Sequence, residues 1–172
     1  METHEIEEKI EQARETSDKR IGLTMAIVAV LLAVATMLGH RTHTEEVLIQ
    51  TKAADQWAYY QSKNTRASMH ADFALLLSAT TGNDKLAEQF RTRAEEQKSG
   101  AEEVKTKAEE LEKETGATSR RATQFDTAEI FLEIAIVLSS ICLLTGLRVF
   151  WGVSFISSLA GVAFLVFGLV MR

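Results

Sequence analysis

The sequence predicts an all-α membrane protein with three transmembrane helices and a long antiparallel helical hairpin between the first two. Three apolar runs, a turn signal midway between the first two runs, and the absence of proline support this prediction. Proline breaks helices because it lacks an N–H and its ring clashes with the preceding turn. A proline-free chain rich in Ala, Glu, Leu and Lys therefore favours long unbroken helices.

The three apolar runs are residues 21–39, 128–147 and 149–171. Each is close to the ~20 residues that cross a ~30 Å hydrocarbon core as a helix. The first and third runs hold no charge, whereas the second holds Glu129 and Glu133. A buried helix of a soluble protein is the alternative, but uncharged runs of this length are typical of membrane proteins.

An acidic tail, residues 1–20, precedes the first run. It holds seven acidic and four basic residues. A secretory signal peptide begins with a short basic segment, so we expect the first run to be a retained anchor. Ile6, Ile10 and Ala13 recur at helical spacing, which predicts a short amphipathic helix in the tail.

The segment between the first two runs, residues 40–127, divides at a turn signal, TTGND, residues 80–84. Gly82 and Asn83 tolerate positive φ, and Asp84 can cap a following helix. The arms before and after the turn are similar in length, each roughly 60–66 Å if fully helical. We therefore expect a helical hairpin with its tip near Gly82.

The returning arm carries apolar and small residues at alternating spacings of four and three. These positions are Phe90, Ala94, Gln97, Ala101, Val104, Ala108 and Leu111. The spacing is typical of a coiled coil, and the alanines predict closely approaching helices. The segment GATS, residues 116–119, is the predicted break before the second span.

An aromatic cluster lies in DQWAYYQSKNTR, residues 55–66. Pairing the two arms about the turn places Trp57 opposite Ala108 and Tyr60 opposite Val104. Large rings opposite small side chains favour packing, within the hairpin or between subunits. A ligand-binding platform is the alternative.

This stretch also resembles the signature of a bacterial membrane-protein family catalogued as domain of unknown function 4337. In that family a W-x-x-Y-Q-x-K-x-x-R pattern follows the first span, and the second-span motif EIFLEIAIVLSSICLLT is similar as well. The matching residues are Trp57, Tyr60, Gln61, Lys63 and Arg66. The resemblance implies a three-span protein of the bacterial inner membrane and implies no activity. The residues assigned to hairpin packing or interaction are Trp57, Tyr60, Gln61, Arg66, Val104 and Ala108.

Polar residues at the span ends are a weak candidate for a metal site. His40 and His43 follow the first span, and Glu129 and Glu133 begin the second. Imidazole and carboxylate groups from adjacent helices can bind a divalent metal. Such residues are also common at helix ends, so we expect neither a metal nor another cofactor.

Glu133 lies about one turn inside the second apolar run, where an ionised carboxylate is costly unless it is paired or hydrated. We expect an ion pair with Arg41 or a hydrogen bond to a neighbouring helix. The alternatives are a side chain that extends to the membrane surface, or a role in a cation or proton path of an oligomer.

All three spans carry small residues at helical spacing, which let helices approach closely in lipid. They are Gly22, Ala26, Ala29, Ala33 and Thr36 in the first span, Ala135, Ser139, Cys142 and Gly146 in the second, and Ser154, Ser157, Gly161 and Gly168 in the third. We expect a compact bundle with faces left for partners.

Several function classes are disfavoured by composition and motifs. The net charge of -5 argues against nucleic-acid binding, which needs a basic face. The single Cys142 cannot form an intrachain disulfide. No nucleophile elbow, phosphate loop, CxxC or HExxH motif is present, so we expect no enzyme.

The function expected is that of a membrane-anchored structural or interaction protein, in contact with lipids and with a protein partner or with further copies. Apolar residues on more than one face of the first arm predict a homo-oligomer. They are Val47, Leu48, Met69, Phe73, Leu75, Leu76 and Leu77. The alternative is a subunit of a small oligomeric channel or transporter using Glu129 and Glu133. The spans lack the continuous polar line that a pore needs, which favours the scaffold.

Basic residues favour a cytoplasmic N-terminus. Lys19 and Arg20 precede the first span, and Arg148 lies between the second and third. Arg120 and Arg121 argue for the opposite orientation.

Overall fold

Three α-helices make up the described part of the chain. Helix α1 runs over Glu2–Ala79, α2 over Asp84–Thr145 and α3 over Arg148–Val170. The computed structural model describes the backbone of residues 2–80 and 83–171, and the side chains of these residues except 2–10, 12–14 and 17. No strand occurs in these ranges. The predicted all-α class is confirmed.

Each helix contains a stretch long and apolar enough to cross a membrane. The three stretches contain the first apolar run, the second except for its last two residues and the third except for its last residue, in the same order along the chain. The protein is therefore a multi-pass membrane protein.

The first two helices are much longer than the apolar runs within them. Helix α1 has 78 residues and α2 has 62. The break predicted at residues 116–119 is wrong, because α2 passes through both Gly100 and Gly116. A glycine inside a helix costs only about 0.5–1 kcal/mol relative to alanine, too little to interrupt a helix supported on both sides. The predicted amphipathic face of the tail lies outside the described side chains.

The hairpin turns between Ala79 and Asp84. The N–H of Ala87 donates to the carbonyl of Asn83 at 2.9 Å, so the helical hydrogen bonds of α2 begin one residue before the predicted cap, Asp84. Asp84 lies in the first turn, where a carboxylate is favourable at the positive end of the helix dipole. The predicted tip residue, Gly82, lies outside the described residues.

Gly146 turns the chain between α2 and α3. Its φ of 72° lies in the left-handed region, which glycine adopts without steric cost. Its N–H donates to the carbonyl of Cys142 at 2.8 Å and closes the end of α2. Gly146 is exposed, so it does not belong to the packing stripe predicted for the second span.

The chain divides into two compact units. The span unit comprises Met1–His43 and Ser119–Arg172, and the hairpin unit comprises Thr44–Thr118. In the hairpin unit the arms pack antiparallel through buried alanines spaced by multiples of seven residues. They are Ala53, Ala67 and Ala74 of α1, and Ala87, Ala101 and Ala108 of α2. The predicted antiparallel hairpin is confirmed.

The core of the span unit draws on all three helices. It consists of Val28, Ala35, Phe125, Ala128, Leu132, Ala135 and Leu165. A Cβ placed at Gly161 would lie 2.8 Å from Cγ of Leu132, and one at Gly168 would lie 2.8 Å from Cε1 of Phe125. These two glycines therefore leave the space that the large side chains of α2 fill.

Hydroxyl groups of α3 bind the backbone of α2. Ser154 Oγ donates to the carbonyl of Ala135 and Ser157 Oγ to that of Phe131, each at 2.7 Å. The whole predicted stripe of the third span, Ser154, Ser157, Gly161 and Gly168, is buried. Small residues allow the close approach that these bonds need.

Arg121 of α2 binds the other end of α3. Its Nε donates to the carbonyl of Gly168 at 3.1 Å, and its guanidinium carbon lies 5.7 Å from the centre of the Phe125 ring. The last carbonyls of a helix lack partners within the helix, so this contact satisfies one of them.

The buried face of the first span differs from the prediction. Ala26, Ala29 and Ala33 are exposed. The buried positions recur every seven residues instead, at Ile21, Val28, Ala35 and Thr42. The alanines of the small-residue stripe therefore do not face the other spans of this chain, because small-residue spacing defines a helix face without saying which neighbour that face meets.

Candidate functional site

The aromatic cluster of α1 contacts the opposite arm of the hairpin unit. Trp57 Nε1 donates to Oε1 of Glu112 at 2.9 Å, and the Trp57 and Tyr60 rings meet edge to face with centres 5.6 Å apart. Trp57 and Tyr60 are half-buried, so the two rings pack against the hairpin without being enclosed by it. The reason is that alanines occupy the interior between the arms, which leaves the large rings at its edge.

The other residues assigned to hairpin packing divide into two groups. Val104 is half-buried and Ala108 is completely buried. Gln61 and Arg66 are exposed, and Arg66 Nη2 donates to Oγ of Ser62 in its own helix at 2.9 Å. Gln61 and Arg66 therefore do not pack between the arms.

Lys63, part of the motif that matches the family, bridges the arms. A Cβ placed at Gly100 would lie 2.5 Å from Lys63 Nζ, so the lysine side chain crosses to α2 where no side chain opposes it. The same Nζ lies 5.3 Å from the centre of the Tyr59 ring, within cation–π range. Gly100 thus makes room for Lys63, a role that the sequence alone did not reveal.

Large apolar side chains are exposed on the hairpin unit. They are Val47, Leu48, Met69, Phe73, Leu75, Leu76 and Leu86. Met69, Phe73 and Leu76 follow one another at helical spacing and form one outward surface, which we call the apolar face. Leu77, predicted with them, is half-buried.

A groove of about 500 Å³ lies between the arms of the hairpin unit. Alanines line its floor, including Ala67, Ala71, Ala74 and Ala94, and Arg91 and Lys98 lie at its rim. Elsewhere in this unit, Nδ1 of His70 and Oε1 of Gln97 are buried without a hydrogen-bond partner among the described residues.

Polar side chains of α1 contact carboxylates of α2 in the span unit. Thr36 Oγ1 donates to Oε1 of Glu129 at 2.8 Å. His43 Nε2 lies 3.1 Å from both carboxylate oxygens of Asp126. Sequence reasoning missed Thr36 and Asp126 as the partners of these residues. The signal for Asp126 was its place seven residues before Glu133, on the same face of α2.

The structure does not bring the candidate metal ligands together. His43 contacts Asp126 and Glu129 contacts Thr36, so His43 and Glu129 do not contact each other. Within the described ranges, no three or more His, Cys, Asp or Glu side chains are arranged to hold a metal ion.

Glu133 is exposed and makes no hydrogen bond or ion pair with any residue the structure describes. The expected pairing with Arg41 or with a neighbouring helix is therefore absent from this chain. Its neighbours Ile130, Ile134 and Val137 are exposed as well. An acidic side chain at the centre of a membrane helix costs about 2.5–3.5 kcal/mol on insertion scales. Glu133 lies about one turn inside the span rather than at its centre, and no described residue pairs with its carboxylate to offset its share of this cost.

Comparison with known proteins gives one match. No curated protein and no solved structure matches the sequence. The family described as Domain of unknown function (DUF4337) matches over residues 17–171. The match covers all three spans and the hairpin, and the chain therefore belongs to the DUF4337 family.

Proposed function

We propose that this protein is a membrane-anchored structural and interaction protein, a homo-oligomeric scaffold built on its coiled-coil-like hairpin. The observation that carries the proposal is the apolar face of Met69, Phe73 and Leu76. These side chains are 52%, 49% and 64% exposed. Exposed apolar patches on soluble surfaces usually mark contacts with other proteins.

The arrangement of the hairpin explains why this face needs a partner. Each arm uses one side to pack its alanines against the other arm, and the apolar face lies on another side of α1. The Phe73 ring reaches the edge of the other arm, where its centre lies 5.7 Å from that of Phe90. About half of the surface of each of the three side chains still stays exposed. Further copies of the hairpin would cover it, and a different protein bound to the hairpin is the alternative occupant.

The proposed location is a bacterial inner membrane, with a cytoplasmic N-terminus and the spans in contact with lipid. The basic pair Lys19 and Arg20 before the first span supports this orientation. The proposal assigns no catalytic step, no cofactor and no nucleic-acid contact.

The decisive experiment measures the mass of the purified full-length protein in several mild detergents. We expect a defined multiple of 19.1 kDa. Leu76→Glu should dissociate the assembly because it places a charge within the apolar face. Asn64→Glu, at an exposed polar position about 120–180° around the same helix from the apolar face, should leave the mass unchanged. A strictly monomeric wild type in every detergent would refute the scaffold.

Glu133 favours a second candidate function, a subunit of a small cation channel or transporter in which Glu129 also takes part. An intramembrane carboxylate without a partner in its own chain is typical of ion pathways. Cation flux into liposomes containing the protein tests this candidate. Flux that Glu133→Gln abolishes would favour it, whereas equal flux in protein-containing and protein-free liposomes would exclude it.

A further inference from the structure

We infer that a second copy of this chain covers the Glu133 face of the span unit, and that it does so with the alanine-rich side of its own α1. This inference rests on the proposed homo-oligomer and adds the surface through which the spans of two copies meet.

The hydrogen bond between Thr36 and Glu129 marks one side of the α1–α2 pair. Ala33 and Ala29 precede Thr36 by three and seven residues, so they share its face of α1. Glu133 follows Glu129 by four residues and shares its face of α2. The exposed alanines and the exposed carboxylate therefore border the same side of this helix pair.

Helix α3 lies against a different side of α2. Its hydroxyls bind the carbonyls of Phe131 and Ala135, the residues two positions before and two after Glu133. Two residues along a helix correspond to a rotation of about 200°. The Glu133 side is therefore left uncovered by α3.

The alanines and Glu133 also lie at the same level along the bundle. Ser140 Oγ lies 3.6 Å from Sδ of Met25, which fixes a second point of contact between α2 and α1. Between the Thr36–Glu129 contact and the Met25–Ser140 contact, α1 goes back eleven residues and α2 goes forward eleven residues. The two antiparallel helices therefore keep the same register over this length. Glu133 is therefore level with position 32, next to Ala33.

The shapes of the two surfaces are complementary. On α2, Ile130, Ile134 and Val137 form an exposed ridge around Glu133. On α1, Ala26, Ala29 and Ala33 form an exposed shallow strip. Copies of one membrane protein share orientation, so a two-fold axis along the membrane normal brings together residues of equal depth. The ridge of each copy then meets the strip of the other, and small residues are what close helix approach in lipid requires.

This contact also accounts for Glu133. Intramembrane carboxylates are rare and almost always face protein or a water-filled cavity rather than lipid. In a single chain, Glu133 is exposed and its carboxylate has no hydrogen-bond or ion-pair partner among the described residues. A second copy removes it from lipid without any change in the fold of either chain.

Disulfide crosslinking between two differently tagged full-length chains tests the inference. Both chains carry Cys142→Ala, which removes the single native cysteine. One chain carries Ala33→Cys and the other Ile134→Cys, and they are co-expressed and oxidised in membranes. In the control, Ile156→Cys on the exposed surface of α3 replaces Ile134→Cys. Ile156 adjoins Ser157, which binds Phe131, so its depth is similar.

We expect a disulfide-linked heterodimer with Ile134→Cys and little or none with Ile156→Cys. Ala29→Leu should also reduce the heterodimer because it fills the strip. Ile27→Phe, which enlarges an exposed side chain about 100–160° around α1 from these alanines, should not. An oligomeric protein that crosslinks equally in both pairs, or in neither, would overturn this inference and leave the scaffold standing. A strict monomer would overturn both.

Discussion

The indole Nε1 of Trp57 donates a hydrogen bond to Oε1 of Glu112 across the two arms of the hairpin, at 2.9 Å. The bond ties the aromatic motif of α1 to a glutamate on the charged surface of α2, at the edge of the alanine-packed interior. It gives a polar role to a tryptophan whose sequence context favoured packing.

A double-mutant cycle on this pair should show a small favourable coupling. Trp57→Phe removes the donor and keeps an aromatic ring, and Glu112→Ala removes the acceptor. Because the bond is exposed to solvent, we expect about 0.5–1 kcal/mol of coupling, the low end for net hydrogen bonds. Chemical unfolding in mild detergent, followed by circular dichroism, measures it. Strictly additive effects of the two substitutions would mean that the bond contributes no stability.

The register of the hairpin can be tested with a cysteine pair. The Lys63 side chain crosses to Gly100. Tyr60 lies three residues before Lys63 on α1, and Val104 lies four residues after Gly100 on α2, so the antiparallel arms place the two close together. Tyr60→Cys with Val104→Cys, in a chain lacking Cys142, should form an intrachain disulfide on oxidation. Tyr59→Cys with Val104→Cys is the control, because Tyr59 is exposed. More efficient crosslinking of the control would contradict the register.

The packing of α3 on α2 predicts different outcomes for two glycines of the same helix. Gly161→Ala forces a Cβ to within 2.8 Å of the fully buried Leu132, so we expect a loss of about 1–3 kcal/mol of stability from overpacking. Gly152→Ala meets no atom within 4 Å and should be neutral or slightly stabilising. Thermal unfolding of the two variants side by side decides the matter, and equal midpoints would mean that α3 is not packed as described.

Two buried serines form a directed chain of hydrogen bonds. Ser154 uses its single proton to bond the carbonyl of Ala135, so Ser139 must donate in the 2.7 Å contact between the two hydroxyls. Ser154→Ala leaves the Ser139 hydroxyl without its acceptor and should cost about 0.6–1.7 kcal/mol. The Ser139→Ala, Ser154→Ala double variant should lose less than the sum of the single losses, because replacing both partners by apolar groups can be nearly neutral. Unfolding measurements that gave an additive double variant would rule out the chain.

A Cβ placed at Gly116 or at Gly146 would meet no atom within 4 Å, yet alanine should act oppositely at the two sites. Gly116 lies inside α2, where alanine should stabilise by about 0.5–1 kcal/mol. Gly146 has a φ of 72°, where alanine should destabilise by about 1–2 kcal/mol because its Cβ crowds the backbone. A destabilising Gly116→Ala would indicate that α2 is interrupted at GATS after all. Unfolding midpoints of the two variants provide the comparison.

The main elements were readable because their signals are local. The apolar runs have the length of a bilayer crossing. The charge-free first run fits a membrane anchor better than a buried helix of a soluble protein or a secretory signal peptide. The alanine repeat from Ala94 to Ala108 predicted close packing of the returning arm, and Ala101 and Ala108 are buried. The predicted break at GATS failed because a single glycine lowers helix stability by less than the neighbouring turns contribute.

Contacts between distant segments could not be read in the same way. The sequence does not fix the pairing of Thr36 with Glu129, or of His43 with Asp126, because each contact depends on the register of two antiparallel helices. A shift of one residue rotates a side chain by about 100° around its helix. For the same reason, the sequence could not show that Gln61 and Arg66 face outward while Tyr60 and Lys63 face the opposite arm.

The sequence by itself determined the helical class, the three spans and the hairpin, because length, hydropathy and spacing are properties of contiguous residues. Only the tertiary structure decided which face of each helix is buried. It placed Val28 and Ala35 in the core and left Ala29 and Ala33 exposed, and it gave Glu129 a partner in Thr36 but none to Glu133. The physical reason is that the small residues on each helix permit close approach on more than one side. The side that is buried is set by the fit of large side chains such as Phe125 and Leu132 against the glycines of another helix.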